Sequence, residues 1–457
     1  MIRAQTVMAG AALALLLGAL AYRAVTYVNL PGRPEAARWV LQDFRDAVYY
    51  PTVAFFDGRN PYDQTAQARE YPVGQPFPLY LPLTFLLHAP FALFSHADAG
   101  AAYFVVTIAL SMALAALAIN GAGVALTAAT VLWLTTALLV TRPGQMNLLL
   151  GQVTAQVTIG AYVALRWARV RPLRAGLGLT LSVLKPTSGV LLAVLMLFGR
   201  GDVAAVLTGA AIALVLCLVT LVPLLHAAGG VGAFAASLGS SAAAFSAERA
   251  SNAWTTFTRV DATALLARVL GHAPGGWVEL ALGLTVVCAA VVGLRRLRDD
   301  RSAPSAQLGI GLVCLTVLVA AYHQTYDTLL LAQPAVSLVM GRWGRAMVAP
   351  PALRWSVLAL IAVPALNYLA TNTVVTRLNV GSPAWLAITA ANPAALLAAW
   401  AVHLGLAWRT PCADPSPHYR TRRASRDHIV AADIPALLHC PRQQVDAASP
   451  QLLCGIS

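Results

Sequence analysis

The chain has 457 residues, of which 58% are hydrophobic and 11% charged, and its formal net charge is +13 at pH 7. Apolar blocks of roughly 15 to 25 residues recur along it, close to the length of a bilayer crossing, which excludes an ordinary soluble globular protein. The positive charge does not indicate nucleic-acid binding, because the arginines concentrate in short loops, where they set membrane topology. The composition therefore predicts an all-α, polytopic integral membrane protein.

The first apolar run, residues 7–22, is predicted to be a retained membrane span, because no convincing signal-peptide cleavage site follows it. With the N-terminus in the cytoplasm, the next loop, at about 29–76, is external. Acids beside aromatic rings suit a carbohydrate site, although an interfacial aromatic belt with solvated acids has the same composition. Six of the chain's eighteen acids lie in this loop: Glu35, Asp43, Asp46, Asp57, Asp63 and Glu70.

The positive-inside rule places the arginine-rich loops in the cytoplasm. These loops lie at 166–174, 199–202, 295–301 and 341–345 and in the tail after residue 408. Four apolar blocks precede the first of these loops, near 77–95, 100–119, 122–141 and 152–166. One block must therefore not cross the membrane, and its prolines make 77–95 the best candidate for a broken or re-entrant segment.

Lys185 is the only lysine among thirty-one basic residues, and it lies within an apolar run. A charged side chain inside a membrane costs at least ~2.5 kcal/mol, so it faces a cavity, a partner or a substrate, unless it reaches the interface from a helix end. Pro186 predicts such a helix end. Because both flanking loops are expected in the cytoplasm, residues 175–198 must rise and return, with two half-length helices meeting near Lys185.

The rest of the chain completes a bundle of about ten to twelve transmembrane helices, half-length segments included. A second external loop is predicted at about 226–276. Residues 409–457 are polar and rich in Arg, Pro and Ser, which predicts a disordered cytoplasmic tail after a membrane domain at 1–408. The remaining spans are predicted near 203–225, 277–294, 307–322, 327–340, 351–371 and 389–408.

Four segments, in chain order, carry a recognisable pattern: the run DFRDAVYYPTVAFFDGRNPYD from Asp43, GQMNLLLGQVTAQ at 144–156, AGLGLTLSVLKP at 175–186 and AYHQTYDTLLLAQP at 321–334. These segments resemble motifs of the GT-C membrane glycosyltransferases, most closely glycosyltransferase family 87 of the polyprenyl-phosphate-mannose-dependent mannosyltransferase type. The resemblance extends over about residues 6–408. The late segment departs from the family pattern, because His323 is followed by Gln324 and then Asp327 where relatives often carry paired histidines.

The resemblance implies a GT-C-like fold and inverting transfer of a hexose, expected to be mannose, from a polyprenyl-phosphate donor. The acceptor would be a lipid or a cell-envelope glycan on the outer face of the bacterial plasma membrane. An acid of the first external loop would act as general base, for which we predict Asp43, with Asp46 in reserve. No cofactor and no metal ion are expected.

Further side chains are assigned by the same resemblance. Lys185, His323 and Arg259 would balance the charge of the donor phosphate. Hydroxyl groups of the sugar or acceptor would be bound by Gln145, Asn147, Gln152, Tyr49 and Tyr62. Two other classes of function stay open: a membrane transporter or flippase of lipid or solute, and a catalytically degenerate GT-C protein that binds a glycolipid.

Overall fold

A computed structural model of the chain describes residues 2–28, 41–75, 80–247, 251–298, 302–340 and 351–409. The described residues are almost entirely helical and contain one isolated antiparallel bridge, between Arg259 and Gln324. The α-helices, numbered in chain order, are α1 (Ile2–Val28), α2 (Tyr50–Phe56), α3 (Gln64–Glu70), α4 (Leu83–His88), α5 (His96–Gly121), α6 (Ala128–Val140), α7 (Arg142–Leu150), α8 (Thr154–Trp167), α9 (Pro172–Ser182), α10 (Pro186–Val194), α11 (Val203–Ala228), α12 (Val231–Ala247), α13 (Ala262–Leu270), α14 (Gly276–Leu297), α15 (Ala303–Ala320), α16 (Ala332–Val339), α17 (Pro351–Leu366), α18 (Asn372–Val375) and α19 (Pro383–Arg409).

Four helical segments of the described residues are wound more tightly or more widely than an α-helix. Two are π-helical, at Phe44–Tyr49 and Leu195–Arg200, and two are 3-10 helices, at Ala89–Leu93 and Thr325–Leu331. π-turns and 3-10 turns within helical proteins often mark functional positions. Two of them, Phe44–Tyr49 and Thr325–Leu331, border the candidate site described below.

Five of the described helices, α1, α5, α11, α14 and α19, are long and apolar enough to cross a membrane. α7 and α8 pass the same test as a pair, but they are bent by 118°. The other apolar helices are shorter than a crossing requires. The prediction of an all-α, multi-pass membrane protein with half-length segments is therefore confirmed.

Both predicted breaks agree with the helix bounds of the structure. The apolar part of 77–95 is a short segment, Leu83–Leu93, in agreement with a block that does not cross. The block 175–198 divides as expected, because α9 ends at Ser182 and α10 begins at Pro186. Lys185 lies between these two helices.

Other predicted crossings differ from the structure. The expected spans at 122–141 and 152–166 are helices of 13 and 14 residues, α6 and α8, and α8 is one arm of the bent pair. The expected span at 327–340 is a 3-10 turn followed by the eight-residue α16. Glu35, the arginine loop at 341–345 and the tail from 410 onwards lie outside the described residues.

Small residues allow α8, α9 and α11 to pack closely. A Cβ atom on Gly178 of α9 would lie 2.6 Å from the carbonyl oxygen of Gly160 in α8. A Cβ atom on Gly176, two residues earlier and on another face of α9, would lie 2.9 Å from the backbone nitrogen of Gly209 in α11. Close approach of this kind is the main source of packing between helices within a bilayer. It fixes α9, whose C-terminal end precedes Lys185.

We expect Gly178→Ala to lower the free energy of unfolding by ~1–3 kcal/mol, because the new methyl group would meet backbone that cannot turn aside. Gly405→Ala on α19 is the matched control, since a Cβ atom there has nothing within 4 Å. Thermal unfolding of the two purified variants in the same detergent measures the difference. An equal midpoint for both variants would contradict the close α8–α9 contact.

Candidate active site

Four breaks in helical structure bring polar side chains together. The breaks are the start of the π-turn at Asp43, residues 151–153 between α7 and α8, residues 183–185 between α9 and α10, and residues 321–324 between α15 and the 3-10 turn. Non-helical backbone at membrane depth is tolerated only where protein or a cavity surrounds it. We use the name helix-break cluster for the side chains joined there, which are Asp43, Tyr80, Gln152, Thr154, Lys185 and Asp327.

Gly151 determines the break between α7 and α8. Its backbone has φ of 73°, in the left-handed region that favours glycine at a helix C-terminus. A Cβ atom at Gly151 would also lie 2.5 Å from the Cβ of Phe44, the residue after Asp43. This contact brings the start of the π-turn against the break, so that Gln152 reaches Asp43.

Pro186 determines the break at Lys185. The residue before a proline is driven from helical to extended backbone, and Lys185 has φ of −108° and ψ of 99°. Pro186 then occupies the first turn of α10, where its missing N–H is not needed. Lys185 therefore lies at the junction of two short helices, α9 and α10.

The break at residues 321–324 is hydrogen-bonded to residues 258–260, which belong to the second predicted external loop. The amide of Val260 donates to the carbonyl of His323 at 3.0 Å, and the amide of Thr325 donates to the carbonyl of Thr258 at 2.8 Å. These bonds form the antiparallel bridge, and one of them pairs the N–H of Thr325, which begins the 3-10 turn and has no partner within that turn. Asp327, on the turn that follows, is thereby held in place.

Asp43 accepts a short hydrogen bond from the side-chain amide of Gln152 through its Oδ2 atom. Its Oδ1 atom accepts none from the described residues. Asp43 lies between α1 and α2, outside the spanning helices, and loss of water around the carboxyl raises its pKa to about 6. The charge of Asp46 also raises this pKa, whereas Gln152, Lys185 and Arg45 lower it. The carboxylate is thus charged at neutral pH and still basic enough to take a proton.

Asp46 has a different environment, although it lies three residues from Asp43. Its two carboxylate oxygens accept hydrogen bonds from the Arg45 guanidinium at 2.7 and 3.2 Å. The backbone amide of Gln75 donates to Oδ2 at 3.0 Å. Asp46 is 2% exposed. These contacts commit it to holding the loop, which favours Asp43 over Asp46 as the base.

Lys185 and Asp327 form a buried ion pair. The ammonium nitrogen lies 2.6 Å from each carboxylate oxygen of Asp327 and 4.6 Å from the centre of the Tyr326 ring. Asp327 also accepts from the hydroxyl of Thr154 at 3.2 Å and from the backbone amide of Gln324 at 2.9 Å. Two hydrogen bonds from other residues therefore fix the carboxylate independently of Lys185.

Gln152 and Thr154 connect the two carboxylates of the cluster. Gln152 binds Asp43 through its amide nitrogen, and its carbonyl accepts from the hydroxyl of Tyr80 at 3.1 Å. Thr154, two residues further along the chain, binds Asp327. A single break between α7 and α8 thus contacts both the candidate base and the partner of Lys185.

His323 and Arg259 lie close to the cluster but already have partners. The Nδ1 atom of His323 lies 3.1 Å from the carbonyl of Ala321, and its Nε2 atom lies 3.0 Å from the hydroxyl of Ser188. Since a carbonyl only accepts, Nδ1 carries a proton and donates it to Ala321. The guanidinium of Arg259 binds Asp261, Glu279 and the carbonyl of Ser251. Their roles at a donor phosphate stay predictions.

Of the five predicted sugar-binding residues, only Gln152 belongs to the cluster. Gln145 contacts Arg23, Tyr368 and the carbonyl of Val140. The amide oxygen of Asn147 accepts from the backbone of Ala155 at 3.3 Å and so supports the break. The hydroxyls of Tyr49 and Tyr62 donate to the carbonyls of Phe94 and Tyr80, each at 2.8 Å. Each of these four side chains therefore contributes contacts that stabilise the fold. Sugar binding by them stays a prediction.

Asp327, Tyr80 and Thr154 were not predicted as site residues. The signal for Asp327 was present, because a lone buried lysine requires a counter-charge, and Glu279 and Asp327 are the only acids of the sequence inside the predicted spans. Tyr80 and Thr154 gave no comparable signal. Among the described residues, no three His, Cys, Asp or Glu side chains are grouped closely enough to hold a metal ion.

The family model of glycosyltransferase family 87 matches residues 79–322, more than half of the chain. The chain belongs to glycosyltransferase family 87. It is therefore a membrane glycosyltransferase, and its helical, multi-pass architecture is consistent with the GT-C superfamily. Comparisons with curated proteins and with solved structures gave no match.

The matched residues of this family 87 member include Gln152 and Lys185, whereas Asp43 and Asp327 lie outside them. The place of the two acids in the site therefore rests on their contacts. Asp43 touches Gln152, and Asp327 touches Lys185, so each acid has a partner within the matched region.

Proposed function

We propose that this family 87 member transfers mannose from a polyprenyl-phosphate donor to a hydroxyl group of a lipid or cell-envelope glycan, with inversion at the anomeric carbon and Asp43 as general base. The observation that carries this proposal is the helix-break cluster itself. It contains the Asp43 carboxylate, whose Oδ1 atom accepts no hydrogen bond from any described residue, and the Lys185 ammonium group at a junction of short helices. These are the two charges that such a transfer needs, one for the proton and one for the phosphate.

In the proposed step, Asp43 takes the proton of the acceptor hydroxyl as its oxygen forms a bond to the anomeric carbon. The bond between that carbon and the phosphate oxygen breaks, and its electron pair leaves with the phosphate. The acceptor thus gains the sugar, Asp43 becomes neutral, and the phosphodiester becomes a monoester with one more negative charge. A pKa of about 6 suits Asp43 to this task, because a base is most effective when its pKa lies near the working pH.

Lys185 supplies the positive charge for the leaving phosphate. It is the one lysine of the chain, it is 7% exposed, and it lies where two half-helices meet. A compact ammonium group gains strength in such a poorly hydrated place, because water screens it less. The acceptor, the periplasmic side of the reaction and the bacterial plasma membrane as its location follow from the same proposal.

The donor class is the part of the proposal to test first. Purified protein in lipid nanodiscs would be given labelled mannose on polyprenyl phosphate or on a nucleoside diphosphate, with a membrane lipid extract as acceptor. We expect label in lipid or glycan from the polyprenyl donor alone. Transfer from the nucleotide donor alone would refute the proposed donor, and glucose or arabinose transferred faster from polyprenyl phosphate would correct the sugar.

A further inference from the structure

Asp327 presents a problem for a lysine that binds a phosphate. Its carboxylate takes two of the three donors of the Lys185 ammonium group, and Thr154 and Gln324 hold it in position. The face of the Tyr326 ring lies against the same ammonium group. A donor phosphate must therefore share or displace a carboxylate that stays in place, and the ion pair is ready to re-form.

Charge changes during the transfer make this competition useful. The donor is a phosphodiester with one negative charge, whereas the released polyprenyl phosphate is a monoester that carries ~1.5 to 2 negative charges at pH 7. An unopposed ammonium group would bind this product more tightly than the substrate, and the product would leave slowly. A fixed carboxylate beside the ammonium group weakens the attraction, most of all for the more highly charged phosphate.

We propose that Asp327 is a positioning residue that limits the hold of Lys185 on the phosphate and so promotes release of the polyprenyl-phosphate product. This inference rests on the proposed polyprenyl-phosphate donor. Asp327 acts through Lys185 and takes no part in bond making. It offers the ammonium group a partner at each turnover, to which the group returns when the phosphate departs.

Asp327→Asn is the informative substitution. Asparagine keeps an oxygen that can accept from Thr154 or from the amide of Gln324, so the break at residues 321–324 retains a partner. It removes the negative charge, and one unit charge a few ångström from a phosphate changes its affinity by roughly tenfold or more at the effective dielectric of a protein. We expect the dissociation constant of polyprenyl phosphate to fall at least about tenfold, and the donor KM and kcat to fall with it. Asp327→Glu keeps the charge and should remain near the wild type.

Equilibrium binding of labelled polyprenyl phosphate to the purified proteins in detergent separates the outcomes. Tighter binding by Asp327→Asn than by the wild type and Asp327→Glu supports the proposal. Binding that is equal or weaker in Asp327→Asn overturns it, because a purely structural role predicts that result. Absence of binding by the wild type refutes the donor class, and this inference with it. Asp327→Ser, which removes the same charge with a smaller side chain, replaces Asp327→Asn if that variant does not fold.

Discussion

Asp43→Asn is expected to lower the rate of sugar transfer by ~10²–10⁴-fold, the usual contribution of a general base. The substitution removes the proton acceptor and leaves the size of the side chain almost unchanged. Its carbonyl oxygen can still accept from Gln152, so the break between α7 and α8 should survive. Transfer of labelled sugar by equal amounts of purified protein measures the loss, and an unchanged thermal midpoint shows that the fold is intact.

Two further acids of the same loop serve as controls. Asp57→Asn should retain activity, because Asp57 is exposed and accepts a hydrogen bond from the hydroxyl of Tyr71, which asparagine can also accept. Asp46→Asn should lower stability more than it lowers kcat, because it weakens the contact with Arg45. Loss of transfer in Asp46→Asn with full activity in Asp43→Asn would exchange the two assignments.

Lys185→Ala is expected to affect both folding and donor use. Removing one partner of a buried ion pair costs ~3–5 kcal/mol, because the remaining charge is left without compensation. Here that charge is Asp327, which is 3% exposed. Activity should fall through a higher KM for the donor, with a smaller change in the KM for the acceptor. Kinetics with each substrate varied in turn, together with thermal unfolding, measure the two effects.

A double variant separates stability from donor binding. Lys185→Met combined with Asp327→Asn removes both charges and keeps an acceptor for Thr154, so much of the lost stability should return. Transfer should stay low, because no ammonium group faces the phosphate. Recovery of donor use in this double variant would rule out a phosphate-binding role for Lys185.

The sequence was sufficient for the fold class and for several breaks. Long apolar blocks predicted the helical bundle, and the Lys185-Pro186 pair predicted the junction of α9 and α10 because proline restricts the residue before it. The break between α7 and α8 was not predicted. Glycine is also frequent within membrane helices, so Gly151 alone did not indicate a helix end, and the close approach of Phe44 to it depends on tertiary packing.

The site was predictable in its charges but not in its pairings. Asp43 and Lys185 stood out because acids are concentrated in one loop and the chain has one lysine. That Asp46 is occupied by Arg45, and that Asp327 faces Lys185 across 142 positions, depends on tertiary packing. The hydroxyls of Tyr49 and Tyr62 donate to backbone carbonyls. These pairings also depend on tertiary packing, so the position of the two tyrosines near loop acids in the sequence did not predict them.

The dependence of kcat/KM on pH, measured for the wild type and for Gln152→Leu, tests the role of Asp43 most directly. A general base acts in its ionised form, so kcat/KM should rise with pH through about 6 and level off above that value. Gln152 donates to Asp43 and lowers its pKa, so its loss should move the rise to higher pH. A rise that stays at the same pH in Gln152→Leu, or a rate that does not fall below pH 6, would contradict the account.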